Sequence, residues 1–209
     1  RRSARGADQA RAGARAKEHG ETPGNRHGII QGQTDAPLNE LGLSQASKLA
    51  PRLAHETFDA IYSSDLQRAH NTAKLALPNA EIKLDQRIRE ISFGRFENIP
   101  WDDLSDEDAT MIQTRRNEID TYRLPGAESN ADVRVRIADF FSDLPEQGKI
   151  AIFCHGGVIR NTLLWVMNMA MPNPDSWGFT IDNTSITILR RTNGRMRIVR
   201  VNDTHHLDD

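Results

Sequence analysis

The chain has 209 residues, with 27 lysines and arginines against 29 aspartates and glutamates and a formal net charge of −2. That length fits one well-buried domain better than two, and so even a balance of charge favours neither nucleic acid nor an anionic membrane surface as a partner. No apolar run approaches the roughly 20 residues of a bilayer span, the start of the chain shows no signal-peptide core, and the single cysteine, Cys154, excludes an internal disulfide, so the expectation is a soluble protein of the reducing cytoplasm.

Residues 1–28 are rich in Arg, Ala and Gly and contain no Val, Ile, Leu, Met or aromatic residue. A segment with so little to bury is expected to be solvated or disordered. Ala46, Leu49, Ala50 and Leu53 fall at helical spacing and predict an amphipathic helix over 43–55, with Pro51 inside it. Alternation over 58–62 predicts a strand. Ser63, Ser64 and Asp65 then offer caps for a helix running to Leu77, just before Pro78. A short strand is expected over 81–84, a helical lid or insertion over 101–123, and a helix over 132–144. The continuous apolar run 150–154 has the character of a buried parallel strand. A helix over 158–169 follows, ended by Pro172 and Pro174. Two further strands, 184–189 and 196–201, are joined through Asn193-Gly194 as a hairpin turn. Strands alternating with helices predict an α/β fold, a three-layer α/β/α sandwich around a mostly parallel sheet.

Two His-Gly steps, His19-Gly20 and His155-Gly156, each sit where a strand should end. In open α/β sheets ligands bind beyond the carboxyl ends of the strands, and Gly156-Gly157 would open a helix whose free N–H groups suit an anion. A strand-end histidine is often only a structural hydrogen-bonding residue; the paired glycines favour the functional reading. Arg68, in the first turn of the helix after Ser63-Ser64-Asp65, has the planar fork that fits phosphate oxygens. Taken alone it is more often an ordinary surface arginine. Glu90 alone is usually a solvated charge, and beside two histidines it becomes a candidate general acid. Cys154, within a buried run, reads as an inert core thiol. The cluster Asp102, Asp103, Asp106, Glu107 and Asp108 fits no calcium loop and reads as a solvated helix face.

Several stretches, in order and at matching spacing, make the chain resemble the phosphoglycerate mutase-like branch of the histidine phosphatase superfamily. They are His19-Gly20-Glu21-Thr22 with Asn25, Gln31-Gly32, Asp35-Ala36-Pro37-Leu38, the run 62–69, the run 89–94, Pro125-Gly126-Ala127-Glu128-Ser129, Cys154 to Arg160, Asn183-Thr184-Ser185, and the tail 202–207. The resemblance runs from His19 to the C-terminus, which separates an atypical basic segment, 1–18, from a domain over 19–209. It implies the phosphoglycerate mutase-like fold and a covalent phosphoryl transfer that needs no metal and no cofactor. His19 would become the phosphohistidine, and His155 and Arg68 would bind the phosphoryl oxygens. Glu90 would protonate the leaving oxygen and then activate water. Gly20, Asn25, Gln31, Gly32 and Gly156 would contact the substrate, a small phosphorylated metabolite. The short segment between Glu90 and Pro125 favours a phosphatase over mutase-type transfer.

The chain departs from the family most at Glu18, where the family motif has a phosphate-binding arginine. A carboxylate there repels a phosphate, unless it protonates or swings away with Arg15 or Lys17 substituting. A catalytically impaired pseudophosphatase acting as a binding protein is therefore the alternative, and a metal hydrolase using the histidines a third reading. The family's apolar first strand is also missing from the composition of 11–17. Smaller departures are Ala127, Asn98 and Ile29.

Overall fold

The computed structural model describes residues 13–172 and 178–208, with backbone alone for 13–15. Its framework is a six-stranded sheet: β1 (Gly13–Glu18), β2 (Ala60–Ser63), β3 (Lys83–Leu84), β4 (Lys149–Cys154), β5 (Ile186–Thr192) and β6 (Arg195–Asp203). The strand order is β3-β2-β4-β1-β5-β6. β3, β2, β4 and β1 run parallel, β5 pairs antiparallel with β1, and β6 antiparallel with β5.

The helices are α1 (Pro23–Arg26), α2 (Glu40–Leu53), α3 (Gln67–Ala76), α4 (Asp106–Asn117), α5 (Asn130–Ser142) and α6 (Gly156–Met167). β4 sorts them into layers, because successive side chains of a strand point to opposite faces. Ile150, Ile152 and Cys154 face α5 and α6, packing with Val133, Ile137, Phe140, Ile159 and Leu163. Ala151 and Phe153 face α2 and α3, packing with Leu49, Leu53, Ala73 and Ala76. The result is the expected α/β/α sandwich. A smaller cluster of Ile30, Phe96, Ile112 and Leu124 seats α4 outside these layers, so the segment 101–123 is helical only in part. Among the described residues no helix is long and apolar enough to cross a membrane.

The expectation for residues 1–28 fails from Gly13 onward. The least apolar stretch of the chain forms an interior strand, paired with β4 over Gly13↔Lys149 to Glu18↔Cys154 and with β5 over Gly13↔Arg190 to Lys17↔Ile186. Two neighbours satisfy its backbone groups whatever its side chains are. Ala16 fits the α5–α6 face, while Lys17 is buried on the other, its ammonium 4.7 Å from the Phe153 ring centroid and 5.0 Å from that of Phe58. Residues 1–12 lie outside the described ones.

Local boundaries differ where caps decide them. α2 begins at Glu40 because the Asn39 side chain accepts from Gly42 N–H at 2.8 Å, and Pro51 falls in its last turn. α3 begins at Gln67 with Leu66 in the cap position, contrary to the expected Ser/Asp cap. Asp35, far away in sequence, accepts from Gln67 N–H at 2.6 Å, and Asp65 is engaged by Arg89 at 2.7 and 2.5 Å. α6 begins at Gly156 and closes with Asn168 in the left-handed region at φ 55°; Pro172 comes after it, and Pro174 lies outside the described residues. Asn193 and Gly194 have φ of 50° and 72°, the two left-handed residues that a type I′ hairpin turn requires.

Candidate active site

The carboxyl ends of the parallel strands converge on one point. β1 delivers Glu18 and His19, β4 delivers His155, β2 ends in Ser63 with Ser64 next in the chain, and the first turn of α3 supplies Arg68. The rings of His19 and His155 lie edge to face, their centroids 5.1 Å apart.

His19 Nδ1 is 2.6 Å from the Gly20 carbonyl oxygen, which can only accept, so Nδ1 carries the proton. Nε2 then holds the lone pair and accepts from Arg68 Nε at 3.2 Å. Burial, followed by the nearby Arg68 cation, lowers the His19 pKa to about 3, with the Gly20 carbonyl pulling the other way. The imidazole is thus neutral and presents an unprotonated nitrogen. His155 is also held well below the usual histidine range, by burial first and then by Arg68, His19 and Arg136. Its Nε2 lies 2.9 Å from Ser64 Oγ, and its buried Nδ1 has no hydrogen-bond partner among the described residues.

The terminal nitrogens of the buried Arg68 bind the carbonyl oxygens of Thr34 and Gly32, both at 2.7 Å, and so tie the 32–34 loop to α3. Gly32 has φ +51°, and a Cβ there would fall 2.3 Å from Glu97 Oε1. Only glycine serves at this turn. Glu90 is oriented by two backbone donors: Ile91 N–H to Oε1 at 2.8 Å and Gly157 N–H to Oε2 at 3.1 Å.

Glu18 is the unusual member. Its Oε1 sits 3.2 Å from His19 Nε2, and its Oε2 is buried without a partner among the described residues. Burial, and then the Glu90 carboxylate, raise its pKa well above the ordinary carboxylate value, opposed by Arg160 and Arg68. The geometry agrees: Nε2 presents a lone pair, already shared with Arg68 Nε, and an ionised oxygen 3.2 Å from it is repelled where a protonated one is not.

These groups open into a cleft of about 370 Å³, whose walls include Asn25, Gln31, Gly32 and Gly156. The Thr22 hydroxyl lies 2.8 Å from Asn25 Oδ1 and 2.7 Å from Gln31 Oε1, linking both side chains to the chain just after His19. Of the residues singled out by sequence, His19, Arg68, Glu90, Asn25, Gln31, Gly32 and Gly156 line the cleft, while His155 lies buried against the His19 ring. Gly20 stands apart: its N–H donates to Thr72 Oγ1 at 3.0 Å, and a Cβ on it would lie 2.4 Å from the Gly42 carbonyl oxygen. Its place in the fold is a close crossing against α2. Lys17 points away from the cleft and does not substitute for the missing arginine; the Arg15 side chain lies outside the described residues. Cys154 is buried, and its thiol is pushed up mainly by that burial.

Sequence reasoning assigned no part in the site to Arg160, Asn183 or Ser64. Arg160 lines the cleft one helical turn after Gly156, and its Nε donates to the Phe179 carbonyl at 3.0 Å. That i, i+4 spacing from Gly156 was the available signal. The Asn183 amide donates to the His19 carbonyl at 3.1 Å, and nothing local in sequence points to that contact. Among the described residues no group of three or more His, Cys, Asp and Glu side chains is placed to hold a metal ion.

The profile of the histidine phosphatase superfamily (branch 1) matches residues 19–204. A curated relative, "Probable phosphoglycerate mutase GpmB" of Yersinia pestis (strain Pestoides F), is 35% identical over 154 residues, covering 70% of this chain and 72% of the relative. Among solved structures, a mutant phosphoserine phosphatase from Entamoeba histolytica in complex with phosphoserine superimposes with a TM-score of 0.81 at 29% identity, covering 94% of this chain and 99% of that one. A mycobacterial glucosyl-3-phosphoglycerate phosphatase complexed with VO3 gives a TM-score of 0.77 at 28% identity, covering 91% and 98%. Bacillus stearothermophilus YhfR gives 0.84 at 26% identity, covering 94% and 100%.

Proposed function

The chain belongs to the histidine phosphatase superfamily, and from that premise we propose that it hydrolyses small phosphomonoesters through a phosphohistidine on His19, without a metal. The observation that carries this reading is His19 Nε2, unprotonated, on a residue that lines one cleft with Arg68 and Glu90 and has the His155 ring 5.1 Å away. In the first step Nε2 attacks phosphorus, the ester P–O bond breaks, and the leaving oxygen takes a proton from Glu90. In the second, Glu90 takes a proton from water, the water oxygen attacks phosphorus, and the P–N bond breaks to release phosphate and restore Nε2. Splitting one displacement into two lowers each barrier. The requirement on the protein is positioning and stabilisation of charge on the phosphoryl oxygens. Arg68 and Arg160 are the cations at the cleft, and His155 supplies a neutral donor.

Glu18 must be neutral or turned aside for the phosphoryl group to reach Nε2, because its carboxyl stands over that nitrogen. This same contact favours a second reading, an impaired protein that binds a phosphorylated ligand without turning it over. Against mutase-type transfer stands the short segment between Glu90 and Pro125. The substrate is a small phosphorylated metabolite, in keeping with relatives named for phosphoserine and for glucosyl-3-phosphoglycerate.

The test is hydrolysis of p-nitrophenyl phosphate in the presence of a chelator, by this protein and by Glu18→Arg side by side, with acid-labile phosphate on His19 trapped in parallel. Turnover by both is the expected result. Turnover by Glu18→Arg alone establishes the impaired reading. Absence of turnover and of trapped phosphate in both folded proteins overturns the phosphohistidine mechanism, and loss of activity on adding chelator overturns metal independence.

A further inference from the structure

Next to the catalytic cleft lies a second cavity, of about 490 Å³, and Phe93 and Arg160 stand in the walls of both. Ile91, Ile119, Leu164 and Met171 make much of the second wall apolar. Into it comes Arg115, from the last turn of α4. Its guanidinium stacks on Phe93, 4.7 Å from the ring centroid, yet its Nε is buried with no hydrogen-bond partner among the described residues. The arginines of neighbouring α5 are not left so. Arg134 pairs with Asp120 at 2.7 Å and Arg136 with Glu128 at 2.8 Å. A buried, unpaired guanidinium donor is costly to maintain, and its natural complement is an anion that arrives with a ligand. Arg115 is mostly desolvated, which lowers its pKa, and the Glu90 carboxylate pulls the other way, so the cation lies within electrostatic reach of the reacting centre.

We infer that this cavity receives the end of the substrate remote from the phosphate, and that the substrate class is a phosphomonoester with an apolar or aromatic body bearing a carboxylate that pairs with Arg115. The inference rests on the phosphomonoesterase reading of the adjoining cleft and adds to it the residue that selects among esters. The apolar wall takes the body of the ester, and Phe93 holds the guanidinium plane against it. A neutral group in place of the carboxylate would leave the Arg115 donor unpaired, which is how a site built for a polar partner rejects the analogue lacking it.

The experiment compares the affinities of two non-hydrolysable probes, 4-carboxybenzylphosphonate and its neutral isostere 4-carbamoylbenzylphosphonate, by calorimetry. It is run on the protein, on Glu18→Gln so that repulsion in the phosphate site does not mask binding, and on Arg115→Met. The carboxylate is expected to bind about 10- to 100-fold tighter than the amide, the range of a charge-assisted hydrogen bond, and Arg115→Met to erase that difference. Arg115→Gln serves if the methionine variant does not fold. Equal affinity for the two probes overturns the inference, as does a preference that survives without Arg115, or no binding of either probe to the protein and to Glu18→Gln. Because affinity is read without turnover, a preference for the carboxylate beside failed p-nitrophenyl phosphate hydrolysis leaves the cavity assignment standing and removes only the phosphohistidine mechanism.

Discussion

Replacing Glu18 by glutamine removes a charge and little else, which makes it the sharpest probe of the site. Glu18 Oε1 lies 3.2 Å from the nitrogen that would carry the phosphoryl group. Oxygens of a group bonded there come within about 4 Å of the carboxylate, where each like-charge pair costs about 4 kcal/mol at an effective dielectric near 20. With about 1.4 kcal/mol per tenfold in rate, an ionised Glu18 suppresses kcat/KM about a thousandfold, whereas a protonated one suppresses it little. Burial and Glu90 raise the Glu18 pKa, so the neutral form extends above the usual carboxylate range. Activity should therefore be highest on the acid side and fall as pH rises through that raised value. Glu18→Gln should remove this fall and exceed the parent most at alkaline pH. The assay is kcat/KM for p-nitrophenyl phosphate from about pH 5 to pH 9 for both proteins, read as ratios so that the titration of the substrate cancels. Parallel profiles, or a gain below about threefold at the alkaline end, would refute the electrostatic argument, since a tenfold effect needs only about a third of the stated energy.

Glu90→Gln can accept from only one of the two backbone N–H groups that orient Glu90 and cannot cycle a proton, and should lower turnover about 10²- to 10⁴-fold while phosphate on His19 becomes easier to trap by rapid quench. Gly32→Ala forces a Cβ into a left-handed turn against Glu97 and should cost about 1–3 kcal/mol, seen as a lower Tm, with weaker activity because the Arg68 anchor on this loop moves. Stability should also depend on pH in two opposed ways. His19 titrates near 3 when folded against an ordinary 6.5, so the unfolded chain binds the extra proton between those values, and this contribution to stability is lost as pH falls through the window. Glu18, raised above its ordinary 4.5, works in the other direction and loses stability as pH rises from there through its folded value. Urea midpoints should accordingly show Glu18→Gln gaining on the parent as pH rises, and His19→Gln gaining on it as pH falls below 6.5.

Much of the architecture was legible because it is written locally. The run 150–154 is apolar at every position, and β4 is buried on both faces as that pattern requires. Asn193-Gly194 makes its turn by the intrinsic tolerance of both residues for positive φ. His19, Arg68, Glu90 and His155 could be singled out because each stands in a short motif beside a strand end or helix start; three of them line the cleft, and the ring of His155 lies against His19. Where local chemistry offered two solutions, the choice went astray. Ser63, Ser64 and Asp65 looked like caps for α3, yet the cap came from Asp35 while Arg89 engaged Asp65.

By itself the sequence determined the order of the strands and main helices from β2 onward and the Asn193-Gly194 turn, since these follow from periodicity and from the conformational limits of single residues, and its short motifs marked His19, Arg68, Glu90 and His155 as candidates. Only the tertiary structure decided that Gly13–Glu18 is an interior strand, because the backbone partners that hold it come from β4 and β5, more than a hundred residues away in the chain. Packing likewise placed Arg160 at the cleft, left Arg115 Nε buried without a partner among the described residues, and turned the Glu18 carboxyl over its neighbour His19. Burial and pairing of this kind belong to the packed molecule, where desolvation and neighbouring charge set what a residue does, and no local pattern carries that information.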